Sequence, residues 1–172
     1  QGINIFNELG FTRSVHLGNF ELAKFLLFEN NYKKAVDTLN LAIKYFTDID
    51  DTVYLIQSLI RLARLERLTD NIDSALSYLD KAMALSSRIN NKDFKNQVTI
   101  ENNICKINQD NTLDSLLQDI DQQTDETKAY IYFNIHKYLG EDDAKVKAEN
   151  LYSNLYKKIN RFEYKYYLNL LK

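Results

Sequence analysis

A chain of 172 residues can build one domain with a sizeable core, or a stack of about four helical hairpins of roughly 34 to 42 residues each. Its 45% hydrophobic and 27% charged residues exclude disorder, and the absence of proline with only four glycines leaves too few turn-formers for a sandwich or barrel. A net charge of −2 gives no electrostatic case for nucleic-acid binding, no apolar run approaches the roughly 18 residues of a membrane span, and the single Cys105 excludes an intramolecular disulfide.

Taken in order, the chain reads as helices throughout. Ile3 to Leu9, with Ile3, Ile5, Phe6 and Leu9, forms a short helix or the tail of an earlier repeat. Thr12 is the expected N-cap of a helix to about Glu29, whose apolar face is Val15, Phe20, Leu22, Ala23, Leu26 and Leu27. Asn30-Asn31 ends it, because asparagine tolerates the left-handed conformation of a helix terminus, and a second helix follows from Tyr32 to about Phe46. From 57 to 85 the apolar residues Leu59, Leu62, Ala63, Ile72, Ala75, Leu76, Leu79, Ala82 and Leu85 keep helical spacing on both sides of a Thr-Asp-Asn break. Small residues at Ala63, Ala75 and Ala82 mark where two antiparallel helices cross closely.

This alternation of alanines and large apolar residues resembles a tetratricopeptide repeat, a helix-turn-helix binding scaffold. Leu22, Ala23, Ala35, Leu39 and Ala42 align without gaps on Leu62, Ala63, Ala75, Leu79 and Ala82, and one constant interval separates every pair. That interval exceeds the roughly 34 residues of the simplest such repeat, so longer helices or longer links are expected. A third unit pairs Lys92–Asn108, with Val98, Ile104 and Ile107 inward, with Thr112–Gln123, with Leu113, Leu116, Leu117 and Ile120 inward. Its alanines are gone. The fourth pairs Thr127–Leu139 with Asp142–Ile159 across Gly140, with Ala129, Tyr132, Phe133, Ala144, Ala148, Leu151, Tyr152 and Leu155 inward. Gly140 takes the turn position of Asn30, Asp70 and Asn111, and a helix from Phe162 to Leu171 is expected to cap the stack or to begin a further repeat.

The resemblance implies an all-α, right-handed superhelix over 1–172, a single domain of about four hairpins and a capping helix. Because the sequence begins with Gln1, a piece of a longer protein is expected. The family's groove lies along the first helices. Carried across by alignment, it takes Leu17, Phe20, Glu21, Lys24, Leu27 and Phe28; then Gln57, Ile60, Arg61, Arg64 and Leu68. From the third and fourth units come Glu101, Asn102, Cys105 and Gln109, and Thr127, Tyr130, Ile131, Asn134 and Tyr138. Lys24, Arg61 and Arg64 could grip a peptide carboxylate, and Asn102 and Asn134 could pair with a peptide backbone. Against this, Arg61, Arg64 and Arg67 are spaced as solvated charges usually are, with Glu66 compensating locally.

Catalysis is not expected. His16 and His136 stand in no metal-ligand spacing, nothing resembles a phosphate loop or a nucleophile elbow, and Cys105 reads as an inert helical thiol. No metal or cofactor is expected. The acidic residues from Asp110 to Glu126 lack the spacing of a calcium loop and read as a solvated face. Eight of the twelve tyrosines follow position 129, which reads as gap-filling or as a contact surface.

The resemblance implies a non-catalytic peptide- or protein-binding domain, the sensing part of a larger bacterial regulator. The alternative is an assembly module that joins subunits or forms a homo-oligomer through the tyrosine-rich half. Neither direct nucleic-acid binding nor membrane insertion is expected. The cytoplasm is the expected compartment, with a periplasmic domain of a membrane-anchored regulator as the alternative.

Overall fold

The computed structural model describes residues 2–8, 10–108 and 112–172, with the side chains of Phe6 and Asn7 left aside. The expectations for Phe6, Leu9, Gln109, Asp110 and Asn111 therefore fall outside what is described. Ten α-helices follow in order among the described residues: α1 (Gly2–Glu8), α2 (Thr12–Phe28), α3 (Tyr32–Asp48), α4 (Thr52–Leu68), α5 (Ile72–Arg88), α6 (Lys92–Cys105), α7 (Thr112–Leu117), α8 (Asp125–Leu139), α9 (Asp142–Ile159) and α10 (Phe162–Leu170). A 3₁₀ turn at Ile120–Gln122 lies between α7 and α8. The described chain is all-helical, and its helices pack on sequence neighbours. It divides into two compact units, residues 1–101 and 102–172.

In the first unit α2, α3, α4 and α5 are each 17 residues long. Helices α2 to α6 start at Thr12, Tyr32, Thr52, Ile72 and Lys92, so each begins one constant step after the last. Every intervening turn is built alike. Asn30, Asp50, Asp70 and Asn90 take left-handed φ values of 50–62°, conformations that Asn and Asp reach at less cost than other side chains. The next residue, Asn31, Asp51, Asn71 or Asn91, donates its N–H to the carbonyl of Leu26, Phe46, Glu66 or Ser86. These are Schellman closures, which satisfy carbonyls that a helix end would otherwise leave open. Turns within and between hairpins are thus equivalent. The extra length of the repeat lies in the helices.

Thr12 does not cap α2. It is the first helical residue, Phe11 stands at the cap, and no side chain accepts there, because the helix starts directly after the left-handed Gly10 turn, one residue earlier than the polar pattern implies. Asp51 and Asn91 do cap, accepting from the N–H of Tyr54 at 3.3 Å and of Phe94 at 3.0 Å.

The five aligned pairs explain the packing. Ala23, Ala63, Ala35, Ala75, Ala42 and Ala82 are all buried, as are Leu39, Leu79 and Leu62, while Leu22 is only partly covered. Alanine at the crossings lets α2 approach α3, and α4 approach α5, closely enough for the leucines to interdigitate. Phe46 completes the first core, stacked on Tyr54 with centroids 5.0 Å apart.

In the second unit the pairing of α8 with α9, and of α9 with α10, centres on Ala129, Phe133, Ala148, Tyr152, Leu155, Tyr164 and Leu171. Gly140 and Asn160 end α8 and α9 in the left-handed conformation. The third hairpin departs from expectation. Helix α6 stops at Cys105, and Thr112–Gln123 divides into α7 and the 3₁₀ turn. Asp119 there accepts from the Gln122 side-chain amide at 3.2 Å, one turn along. Ile104, Ile107, Leu116 and Ile120 are nevertheless buried as expected.

Two of the tyrosines lie deeper than the rest, which are half-buried. Tyr152 and Tyr164 are fully covered, and Tyr167 stacks on Tyr152 at 4.9 Å while meeting Phe133 edge-on at 4.9 Å. Burial raises the Tyr164 hydroxyl above its usual pKa, as does the negative charge of the Glu126 carboxylate.

Candidate functional site

In the first unit the expected groove positions form two charge clusters. The Arg61 guanidinium lies flat over the Phe20 ring, 3.6 Å from its centroid, and donates to the Phe20 carbonyl. Its other end stands 3.7 Å from Glu21, whose carboxylate is also 3.5 Å from the Lys24 ammonium. Phe20, Glu21, Lys24 and Arg61 therefore make one cluster joining α2 to α4. The Phe20 ring is buried beneath the arginine. Stacking on an aromatic face suits a weakly hydrated guanidinium and holds its fork in one plane.

Arg64 belongs to the second cluster. Its Nε donates to Glu101 at 2.6 Å, and Arg67 reaches the other oxygen of the same carboxylate at 3.6 Å. Arg67 is not the solvated charge its spacing implies: the residue is 4% exposed and Glu101 1%, whereas the Arg64 side chain keeps 37% of its surface. Glu66, expected to compensate, accepts instead from the Asn71 amide at 3.0 Å. A buried carboxylate between two guanidiniums satisfies the rule that charges leave water only when paired. Glu101, read as a groove position, is thus a buried tie between α6 and α4.

The remaining positions divide between surface and core. Phe28, Gln57, Asn102, Tyr130 and Tyr138 are half-buried. Ile60 and Ile131 are buried in the packing rather than facing a groove. Asn134 is 2% exposed and donates to the Tyr130 carbonyl one turn back at 2.7 Å, so this donor serves its own helix rather than an extended peptide. Asn102, Tyr130, Asn134 and Tyr138 belong to the second unit, and Phe20, Lys24, Phe28, Gln57, Arg61 and Arg64 to the first. Cys105 is half-covered and in no disulfide.

His16 packs on α3 with its ring 4.2 Å from Tyr45 and nearly parallel to it. Its Nδ1 is buried without a hydrogen-bond partner. Burial pulls the imidazole below its ordinary pKa of 6.5, against a backbone hydrogen bond at Leu41 that raises it. A lowered native pKa means that the unfolded chain takes the proton first. The stability due to neutral His16 is complete above 6.5 and is lost as pH falls through the native value. Thermal midpoints measured at about pH 7.5 and about pH 5 should therefore differ less in His16→Phe, which keeps the stack, than in the parent. An equal difference in both would remove His16 from the acid response.

Among the described residues no group of three or more His, Cys, Asp or Glu side chains is placed to hold a metal ion, and no helix is long and apolar enough to cross a membrane. No protein-family model and no curated protein sequence matches the chain.

Proposed function

We propose that the chain is a tetratricopeptide-like superhelical repeat domain that binds a peptide or protein partner through the first-helix surface of its N-terminal unit. The observation that carries this reading is the constant step of helix and turn from Thr12 to Lys92. Such repetition sets equivalent first helices side by side, a geometry that suits extended ligands. The partner is bound without chemistry, and a regulatory module elsewhere in a longer protein reads the binding.

On this reading the grip for a carboxylate is Arg61, oriented by the Phe20 ring, with Lys24 beside it. Glu21, half-exposed and no closer than 3.5 Å to either cation, holds the place that a ligand carboxylate takes over. Removing the competitor strengthens binding, because a charge-assisted hydrogen bond contributes about 1.5–3 kcal/mol where it is dry. Glu21→Gln should therefore tighten the capture of short acidic peptides about tenfold in a fluorescence anisotropy titration, and Arg61→Gln should weaken it by as much or more. Amidating the peptide C-terminus and its acidic side chains should have the same effect as Arg61→Gln. A peptide pool that neither binds nor responds to Glu21→Gln would overturn the reading.

A further inference from the structure

The charge of the chain is segregated along its length. Residues 145–172 hold seven Lys and Arg against two acidic residues, a net of +5, which leaves −7 on residues 1–144. The basic residues gather at the turn from α9 into α10. Lys157, Lys158, Arg161 and Lys165 are all exposed there, and among the described residues none of them takes part in an ion pair. Some exposed cations do have partners, Lys147 with Asp143 at 2.5 Å and Arg88 with Asp50 at 3.3 Å, whereas the exposed Lys33 and Lys34 are, among the described residues, unpaired like those of the turn.

The same turn displays apolar side chains. Ile159 is 53% exposed and Phe162 54%. Helical spacing would return Ile159 to the buried side of Leu155, one turn earlier, but α9 ends there, and the left-handed Asn160 reverses the chain. Helix α10 is anchored by Tyr164 and Tyr167, which leaves Phe162 at its outer end. Two apolar groups and four cations, with Glu163 as the one acidic residue, therefore share the segment from Lys157 to Lys165.

We propose that this α9–α10 turn is a docking surface for an anionic lipid bilayer. Ile159 and Phe162 enter the boundary between headgroups and acyl chains, and Lys157, Lys158, Arg161 and Lys165 lie among the lipid phosphates and carboxylates. Three of the four cations are lysines, whose long stems cover apolar surface while the ammonium stays in water. A nucleic acid offers phosphates too, but it has no use for an exposed isoleucine. Its readers rely on arginine forks, amides and stacked rings. The acidic remainder of the chain is repelled by the same bilayer, so attachment is confined to the basic turn. The surface lies on the membrane and does not cross it.

Co-sedimentation with vesicles of phosphatidylcholine, with and without about one-third phosphatidylserine, tests this. The intact chain should partition onto the anionic vesicles and not onto the neutral ones, and the bound fraction should fall at high salt. Each basic side chain near an anionic surface strengthens partitioning about fivefold, so the double variant Lys157→Gln/Lys158→Gln should weaken it about 25-fold. Phe162→Ser should weaken it about tenfold or more through lost apolar contact. The exposed pair Lys33→Gln/Lys34→Gln makes the same charge change away from the turn and should leave partitioning within about twofold. Equal binding to both kinds of vesicle, no binding to either, or equal losses for the two lysine pairs would overturn the proposal. So would tighter binding to a single-stranded RNA that displaces the vesicles, which would assign the surface to nucleic acid.

Discussion

Glu101→Gln is expected to destabilise the N-terminal unit by about 3–5 kcal/mol, because it removes the carboxylate charge that faces the buried Arg67 guanidinium. The substitution keeps the size and shape of the side chain, so the loss measures charge rather than packing. Arg64, more than one-third exposed, can turn to solvent; Arg67 cannot. The double variant Glu101→Gln/Arg67→Met should therefore recover most of the loss, since well-packed apolar residues in place of a buried ion pair are often neutral or stabilising. Urea unfolding of the three proteins gives the comparison through the shift in midpoint at constant slope. A loss below about 1 kcal/mol for Glu101→Gln would mean that water or another group already neutralises Arg67.

The two charge clusters follow one rule that can be read along the sequence. Glu21, Arg61 and Glu101 recur at the full repeat interval, at one position of successive first helices, and their signs alternate. Lys24 and Arg64 share a second position at the same interval. Adjacent first helices thus present opposite charges where they meet: Arg61 reaches back to Glu21, and Arg64 forward to Glu101. The alignment that locates the alanines contains this ladder. Judging Arg64 and Arg67 against Glu66, their neighbour on the same helix, hides it. Helical neighbours offer an exposed partner worth a few tenths of a kcal/mol, whereas the helix of the next repeat offers a buried one.

The constant helix-and-turn step was equally legible. Asn30-Asn31, Asp50-Asp51, Asp70-Asn71 and Asn90-Asn91 recur at that step, half the full repeat, and the same left-handed requirement explains each first member. Reading only Asn30 and Asp70 as turn residues leaves open whether links or helices carry the extra length. The second unit was less accessible because its order rests on aromatic partners rather than on spacing. An apolar pattern marks Tyr152 as inward, but no pattern tells that Tyr167 lies flat against it or that Tyr164 is fully covered. Groove positions suffered in the opposite way. Alignment places Ile60, Ile131 and Asn134 on first helices, but which side of each helix meets its neighbour is settled by packing, and all three are buried.

Phe46→Ala should cost about 3–5 kcal/mol, because the ring has no exposed surface and touches both hairpins of the first unit. It shares one buried cluster with Phe20, Ala23 and Leu26 of α2, Ala35, Leu39 and Ala42 of α3, and Leu62 and Leu65 of α4, and it stacks on Tyr54 of α4. The equivalent position in the next repeat is Ser86, also fully buried, with its hydroxyl donating to the Ala82 carbonyl at 2.6 Å. Serine is therefore compatible with the backbone at this site, and what demands an aromatic ring at 46 is the neighbouring helix. In the first repeat α4 brings the Tyr54 ring against the site. Phe46→Ser consequently tests the packing alone. It should lose at least as much as Phe46→Ala, the hydroxyl bond to the carbonyl one turn back giving little return. Phe46→Leu, which fills most of the volume, should stay within about 1.5 kcal/mol of the parent. If Phe46→Ser instead matched the parent, the backbone of α3 rather than the approach of α4 would fix what this position holds, and the two hairpins would not be joined through it.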